Sequence, residues 1–347
     1  MMGPFDIVLS YGGPESLEEV GPFLNRVLAG KPIPPQRRQA VEGHYRQLGG
    51  ISPLNAQVRA FVAALRPELS RRDPGAEILQ ANLFAAPLLE EVLASTAEKI
   101  ARANLTGDLS EAEIRVFSAS AFAGQTCHMR YRQATERCRE KIENEIARRL
   151  GTAPRWRFVY SEPFHHTGLF RRAVADTVLE ARAHALLENG NPMILFSAHA
   201  LPEDESRSAG YRESLLDLCS SAAERVGLGQ ERGKESLEQS QPGDWALVFQ
   251  SGGGSPARPW TGPTITEALE KVAAGAVKDV LVIPVGFFFE NTEIAFDLDI
   301  EAASLCLMLG LSYRRGKTVG LSAEMLTLAL EFFTLRCSGT GPAVVYT

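Results

Sequence analysis

The sequence predicts an α/β protein made of two similar domains, each built on a four-stranded parallel sheet. Three observations carry that expectation. Short β-branched or aromatic runs recur along the chain, each followed by a turn and a longer helical pattern. Strands that alternate with helices form parallel sheets covered on both faces. The chain has 347 residues, and an ordinary domain has roughly 100–200, so two domains are the starting point.

In the first half the strand signals are FDIVLSY (5–11), EILQANLF (77–84), IRVFSASA (114–121) and RWRFVYS (155–161). In the second they are MILFSAH (193–199), WALVFQS (245–251), DVLVIPV (279–285) and, more weakly, LSYRR (311–315). Helical patterns occupy 17–28, 54–71, 87–103, 128–150, 169–188, 211–226 and 322–335. A first domain is expected over 1–165, completed by the C-terminal helix at 322–347, and a second over 166–321. The polar stretch 228–243 reads as an exposed loop.

Composition narrows the function. Hydrophobic residues make up 45% and charged residues 22%, as in a soluble globular protein. Lys plus Arg number 36 against 42 Asp plus Glu, and a formal charge of −6 argues against a nucleic-acid surface. Five widely spaced cysteines, with no CxxC, fit neither a disulfide scaffold nor a zinc ribbon and read as free thiols in a reducing compartment. The N-terminus lacks a basic leader, and the longest apolar stretch, Val280 to Phe289, is about half the ~20 residues that a spanning helix needs. No membrane segment is expected, and the cytoplasm is the expected location.

Open parallel sheets bind ligands just beyond the carboxyl ends of their strands. Tyr11-Gly12-Gly13-Pro14, His199, the QSGGGSPARPW stretch and GFFFENTE all fall at such ends. In an α-helix starting near 290, Glu290, Glu293, Asp297 and Glu301 share a stripe of roughly 80°, with Asp299 alone on the opposite side. Two readings are open: a solvated acidic face, or hard oxygen ligands that pass a cation along at one-turn spacing. His199 is likewise either a hydrogen-bonded structural residue or a metal ligand and proton acceptor. Paired with Glu293, it supplies a nitrogen and an oxygen to one divalent ion. Tyr11 is either a strand-end aromatic bonded to backbone or a binding residue. Gly310 to Thr318 fails as a P-loop because five residues, not four, separate its glycines, and 252–254 lacks the dinucleotide fingerprint.

Five stretches in order then carry a resemblance over essentially the whole chain. LSYGGPESLEEVGPFL, HYRQLGGISPLNAQ (44–57), FSAHALPE (196–203), VFQSGGGSPARPWTGPTI (248–265) and PVGFFFENTEIAFDLDIE (284–301) together resemble ferrochelatases. The resemblance implies two Rossmann-like, doubly wound domains with a porphyrin in the cleft between them, and insertion of ferrous iron into that porphyrin. It implies His199 and Glu293 as catalytic and metal-binding residues. The acidic row at Asp297 and Glu301 continues the metal path, with Glu290 at its head.

The tyrosine at position 11 and the HYRQLGG stretch are similar to the coproporphyrin branch of the family, with Tyr11, Tyr45, Ser52 and Tyr131 as porphyrin contacts. Coproporphyrin III giving coprohaem is therefore the expected reaction. Protoporphyrin IX is the alternative substrate, and a non-catalytic porphyrin or haem binder the alternative class; a cobalt or nickel chelatase fits the motifs less well. Iron enters as substrate, no prosthetic group and no iron–sulfur cluster are expected, and a downstream haem-pathway enzyme is the expected acceptor of product. Three positions depart from the family pattern: Leu83 and Gly252 replace basic residues, and Asn291 replaces a histidine. Loss of those cations weakens the hold on propionates, so either the substrate sits differently or activity is reduced.

Overall fold

The computed structural model describes residues 3–29, 35–107, 110–188, 190–252 and 258–334. The chain divides into two compact units. One comprises Met1–Ser120, Thr126–Pro163 and Leu326–Thr347, the other Ala121–Gln125 and Phe164–Met325.

The first unit runs β1 (Phe5–Ser10), α1 (Leu17–Val27), α2 (Pro35–Gln47), α3 (Leu54–Arg72), β2 (Glu77–Asn82), α4 (Leu89–Leu105), β3 (Ala112–Ser118), α5 (His128–Leu150) and β4 (Trp156–Tyr160). Its strands pair in parallel in the order β2-β1-β3-β4. Every residue of β1 is buried, as a strand covered on both faces requires. Ile7, Leu9, Ile114 and Val116 point to α4 and α5, where they meet Leu93, Ile100 and Ile142. Phe117 faces the other way, within about 6 Å of the rings of Phe61, Phe332 and Phe333.

Asp6 interrupts the apolar run of β1 and is fully buried, which is tolerable because Arg115 on β3 clasps it through two hydrogen bonds of 2.5 and 3.0 Å.

The second unit runs α6 (Gly168–Glu188), β5 (Met193–His199), α7 (Glu203–Ala209), α8 (Tyr211–Val226), β6 (Trp245–Gln250), α9 (Ile265–Ala274), β7 (Asp279–Pro284), a π-helix (Ile294–Ala302), α10 (Ala303–Leu309) and β8 (Ser312–Arg315). Its parallel order, β6-β5-β7-β8, repeats the first. Leu195, Val248 and Val282 form one face with Leu269 of α9 and with Ile294 and Leu298 of the π-helix.

All eight predicted strands are present, the weak LSYRR run included. The stretch read as a polar loop contains a short 3-10 helix (Lys234–Gln239), anchored by the fully buried Leu237. The last helix, α11, spans Ala323–Thr334, and the expected continuation to 347 lies outside the described residues.

In each sheet the central strand β1 or β5 is flanked by strands reached in opposite directions. The switch point of each sheet therefore lies between β1 and β3, or between β5 and β7. Tyr11 follows β1, and His199 ends β5.

His128, first residue of α5, provides a test of the first unit's packing. Its ring is buried, bonded to the backbone of Ser161 and unpartnered at Nε2. Burial pushes its pKa down to about 4. The unfolded chain thus binds more protons between about pH 4 and 6.5, so this stabilisation is present above pH 6.5 and lost as pH falls to 4. The loss amounts to about 3 kcal/mol at most. His128→Asn should flatten that acid slope in urea unfolding between pH 4.5 and 7.5; an identical slope in variant and wild type would exclude His128 as its source.

Candidate active site

The site in the second unit begins with how β5 ends. Ser197 Oγ donates to the side chain of Gln250 on β6, and Gln250 sits opposite His199 in the ladder. On the other side, Val285 N donates to Ser197 O, which brings Gly286 against Ala198. A Cβ at Gly286 would lie 2.7 Å from Ala198 Cα, so only glycine allows β7 to turn away this close to the strand carrying His199.

The imidazole is oriented by its own neighbour. Nδ1 of His199 lies against the carbonyl oxygen of Ala200, which can only accept, so Nδ1 carries the proton. Nε2 points the other way, 3.6 Å from Oε2 of Glu293. The Phe287 ring packs edge-on at 6.0 Å.

The carboxylates stand on a helix of unexpected type. Residues 294–302 form a π-helix, in which Ala303 N reaches back to Leu298 O, rather than the α-helix assumed from the sequence. Asn291 caps it, its Oδ1 accepting from Ile294 N at 3.0 Å. Ile294, Leu298 and Ala302 are buried in the core, while Glu293 and Glu301 are exposed and Asp297 half-buried between them. Burial pushes Asp297 up to about 7; the hydrogen bond from Ser251 Oγ opposes this, the charges of Glu293 and Glu301 add to it, and His199 opposes it. Glu293, Asp297, Glu301 and His199 thus form one electrostatic group.

Glu290 departs from the expected stripe. It lies in the turn ahead of the helix, where Oε1 accepts from Arg315 Nη1 at 3.1 Å and Thr318 N at 2.9 Å. The same guanidinium holds Asp299 through bonds of 2.6 and 3.0 Å. The expected four-member row therefore has three members, because Arg315 draws Glu290 to the side on which Asp299 projects.

In the first unit, the loop after β1 is shaped by two glycines. Gly12 has φ +77°, and a Cβ at Gly13 would lie 2.4 Å from Ser52 Cβ. Asn55 fastens the loop, accepting from Gly13 N and donating to Gly13 O. This places Tyr11 in an aromatic group: Phe84 at 4.6 Å, Phe23 at 6.3 Å, and Tyr45 5.8 Å from Phe23. Tyr45 is half-buried, whereas Ser52 and Tyr131 are buried, at 3% and 7% exposure.

An imidazole facing a carboxylate can, in its neutral form, accept a proton or present one nitrogen, beside the carboxylate oxygen, to a dication. Among the described residues, no three His, Cys, Asp or Glu side chains converge to hold a metal ion. Two contributors escaped the sequence reading. Ser251 carries φ +61°, a strained conformation that puts its hydroxyl on Asp297, and its position one residue past β6 was the available signal. Arg315 sits in the stretch set aside as a failed P-loop, and nothing local marks it. Residues 253–257, part of the QSGGGSPARPW motif, lie outside the described residues.

Two substitutions test this construction. Gly286→Ala should force β7 and β5 apart beneath His199 and destabilise the second unit by about 1–3 kcal/mol in urea unfolding. Arg315→Met leaves Glu290 and Asp299 without their cation and should cost about 1.5–3 kcal/mol. Unchanged midpoints would show that neither contact supports the site.

Comparisons with known proteins identify the family. A family model described as Ferrochelatase matches residues 7–332. The Ferrochelatase of Rhodopirellula baltica is 28% identical over 332 residues, covering 94% of this chain and 84% of that protein. The Coproporphyrin III ferrochelatase of Streptomyces coelicolor is 31% identical over 345 residues, covering 94% and 85%. That of Propionibacterium freudenreichii is 30% identical over 356 residues, covering 98% and 91%. With residues 7–332 matched by the family model, nearly the whole chain, this chain belongs to the ferrochelatases, the lyases that insert metal into porphyrins.

Proposed function

We propose that the chain inserts ferrous iron into coproporphyrin III to give coprohaem, with iron as a substrate rather than a resident cofactor. The observation that carries the reading is the approach of His199 Nε2 to Glu293 Oε2 at the carboxyl end of β5. Insertion replaces two pyrrole N–H protons by one dication, so the site must accept two protons while the ion sheds water. His199 Nε2 accepts the two protons one after the other, passing the first to solvent before it takes the second, Glu293 ligates the ion, and Asp297 and Glu301 exchange for its water ligands. Tyr11 serves as a phenolate ligand to iron, with Tyr45, Ser52 and Tyr131 as porphyrin contacts.

The choice of coproporphyrin is supported by relatives named for that substrate at about 30% identity. Four propionates make it water-soluble, which suits a chain in which no described helix is long and apolar enough to cross a membrane. A cytoplasmic location and a downstream haem-pathway enzyme as acceptor belong to the same reading.

The departures at Leu83, Gly252 and Asn291 favour one second reading, a porphyrin binder without turnover. Leu83 packs against the first unit's core, and Asn291 caps the π-helix. Neither residue supplies a cation or a titrating ring.

Anaerobic incubation with ferrous iron and either coproporphyrin III or protoporphyrin IX, followed by loss of porphyrin fluorescence, separates these readings. Conversion of the tetracarboxylate is expected to be faster. Faster conversion of protoporphyrin would overturn the substrate assignment, and binding without conversion would favour the binder. His199→Ala should lower kcat by at least about 10²-fold with porphyrin binding retained. Tyr11→Phe should shift the absorption spectrum of the bound iron product; an unchanged spectrum would remove Tyr11 as a ligand.

A further inference from the structure

Several described arginines on α1, α2 and α3 are already engaged. Arg26 donates to the carbonyl of Phe84, Arg38 bonds Glu42 and Asn25, Arg46 bonds Glu42, and Arg59 clasps Glu15. Arg130, near the start of α5, differs. Its guanidinium carbon lies 5.8 Å from the centre of the Tyr11 ring, and among the described residues the side chain has no carboxylate partner and donates no hydrogen bond. The side chain is half-buried.

A cation–π contact holds the guanidinium in place but uses none of its five N–H donors. A planar fork with idle donors, fixed beside a tyrosine and next to Tyr131 in the chain, is what a carboxylate on a flat aromatic ligand would engage in bidentate fashion.

We infer that Arg130 receives a carboxylate side arm of the porphyrin, taking over part of the work of the cation missing at Leu83. This rests on the reading of the substrate as a porphyrin carboxylic acid. Arg130 touches substrate but not the reacting nitrogens, so it sets affinity and leaves the chemical step alone. Its loss should raise KM and Kd for porphyrin with kcat and the KM for ferrous iron unchanged. A purely structural role against Tyr11 would instead lower thermal stability without a selective effect on porphyrin affinity.

The test is fluorescence titration of the full chain with coproporphyrin III, without iron, for wild type, Arg130→Gln and Arg130→Lys. Arg130→Gln should raise Kd by about 10- to 100-fold. Arg130→Lys, which keeps the charge but loses the fork, should fall between, and the dependence of Kd on salt should weaken in Arg130→Gln. Equal Kd values in all three proteins overturn the inference and leave the function standing. If wild type binds porphyrin but inserts no iron, the proposed turnover fails while the Kd series still decides the role of Arg130. If wild type binds no porphyrin, both are overturned.

Discussion

Three carboxylates held along one edge of a helix repel one another, and the second unit is built to keep them there. Each like-charge pair one turn apart costs about 0.2–0.5 kcal/mol. Against this stand Ile294 and Leu298, both fully buried, each contributing about 1.5–3 kcal/mol of apolar burial. Burial outweighs repulsion, so the helix cannot rotate to disperse its charges without exposing its core face. Asn291 closes its start and Arg315 holds its far side through Asp299. Asp297, the least exposed of the three, has its carboxyl pushed up to about 7 by burial, with the charges of Glu293 and Glu301 adding to it.

The π-helix and the strand end solve one problem from two sides. A metal-inserting site needs a base whose lone pair is free and acids that tolerate crowding. The carbonyl of Ala200 fixes the tautomer of His199, and Gly286 permits β7 to leave the sheet close beside it. Ser251, in a backbone conformation that non-glycine residues seldom adopt, donates to the crowded carboxylate. None of these three touches a reacting atom in the proposed chemistry, and each bears on a group that does.

The first unit uses the same sheet order for a different surface. Where β5 ends in an ionisable ring, β1 is followed by Tyr11 and two glycines, the second pinned by Asn55 and packed against Ser52. The result is an aromatic group with a guanidinium against the Tyr11 ring, unlike the carboxylate row of the second unit. A repeated topology thus carries unlike chemistry because the residues just past the switch-point strand differ.

Much of this was legible in the residues. Eight apolar runs became eight strands because period and length alone specify buried parallel strands. His199, Glu293, Asp297 and Glu301 could be picked out because strand ends and one-turn spacing are local properties. What the chain could not disclose lies in contacts distant in sequence. The pairing of Glu290 with Arg315, 25 residues away, removed it from the acidic row, and the reach of Ser251 to Asp297 spans 46. The helix type escaped as well: hydrophobic spacing reports which side of a helix is buried and does not distinguish α from π hydrogen bonding. Sequence determined the elements and the chemical types available at their ends; tertiary structure decided which of those groups meet, because only long-range packing chooses partners for a charge.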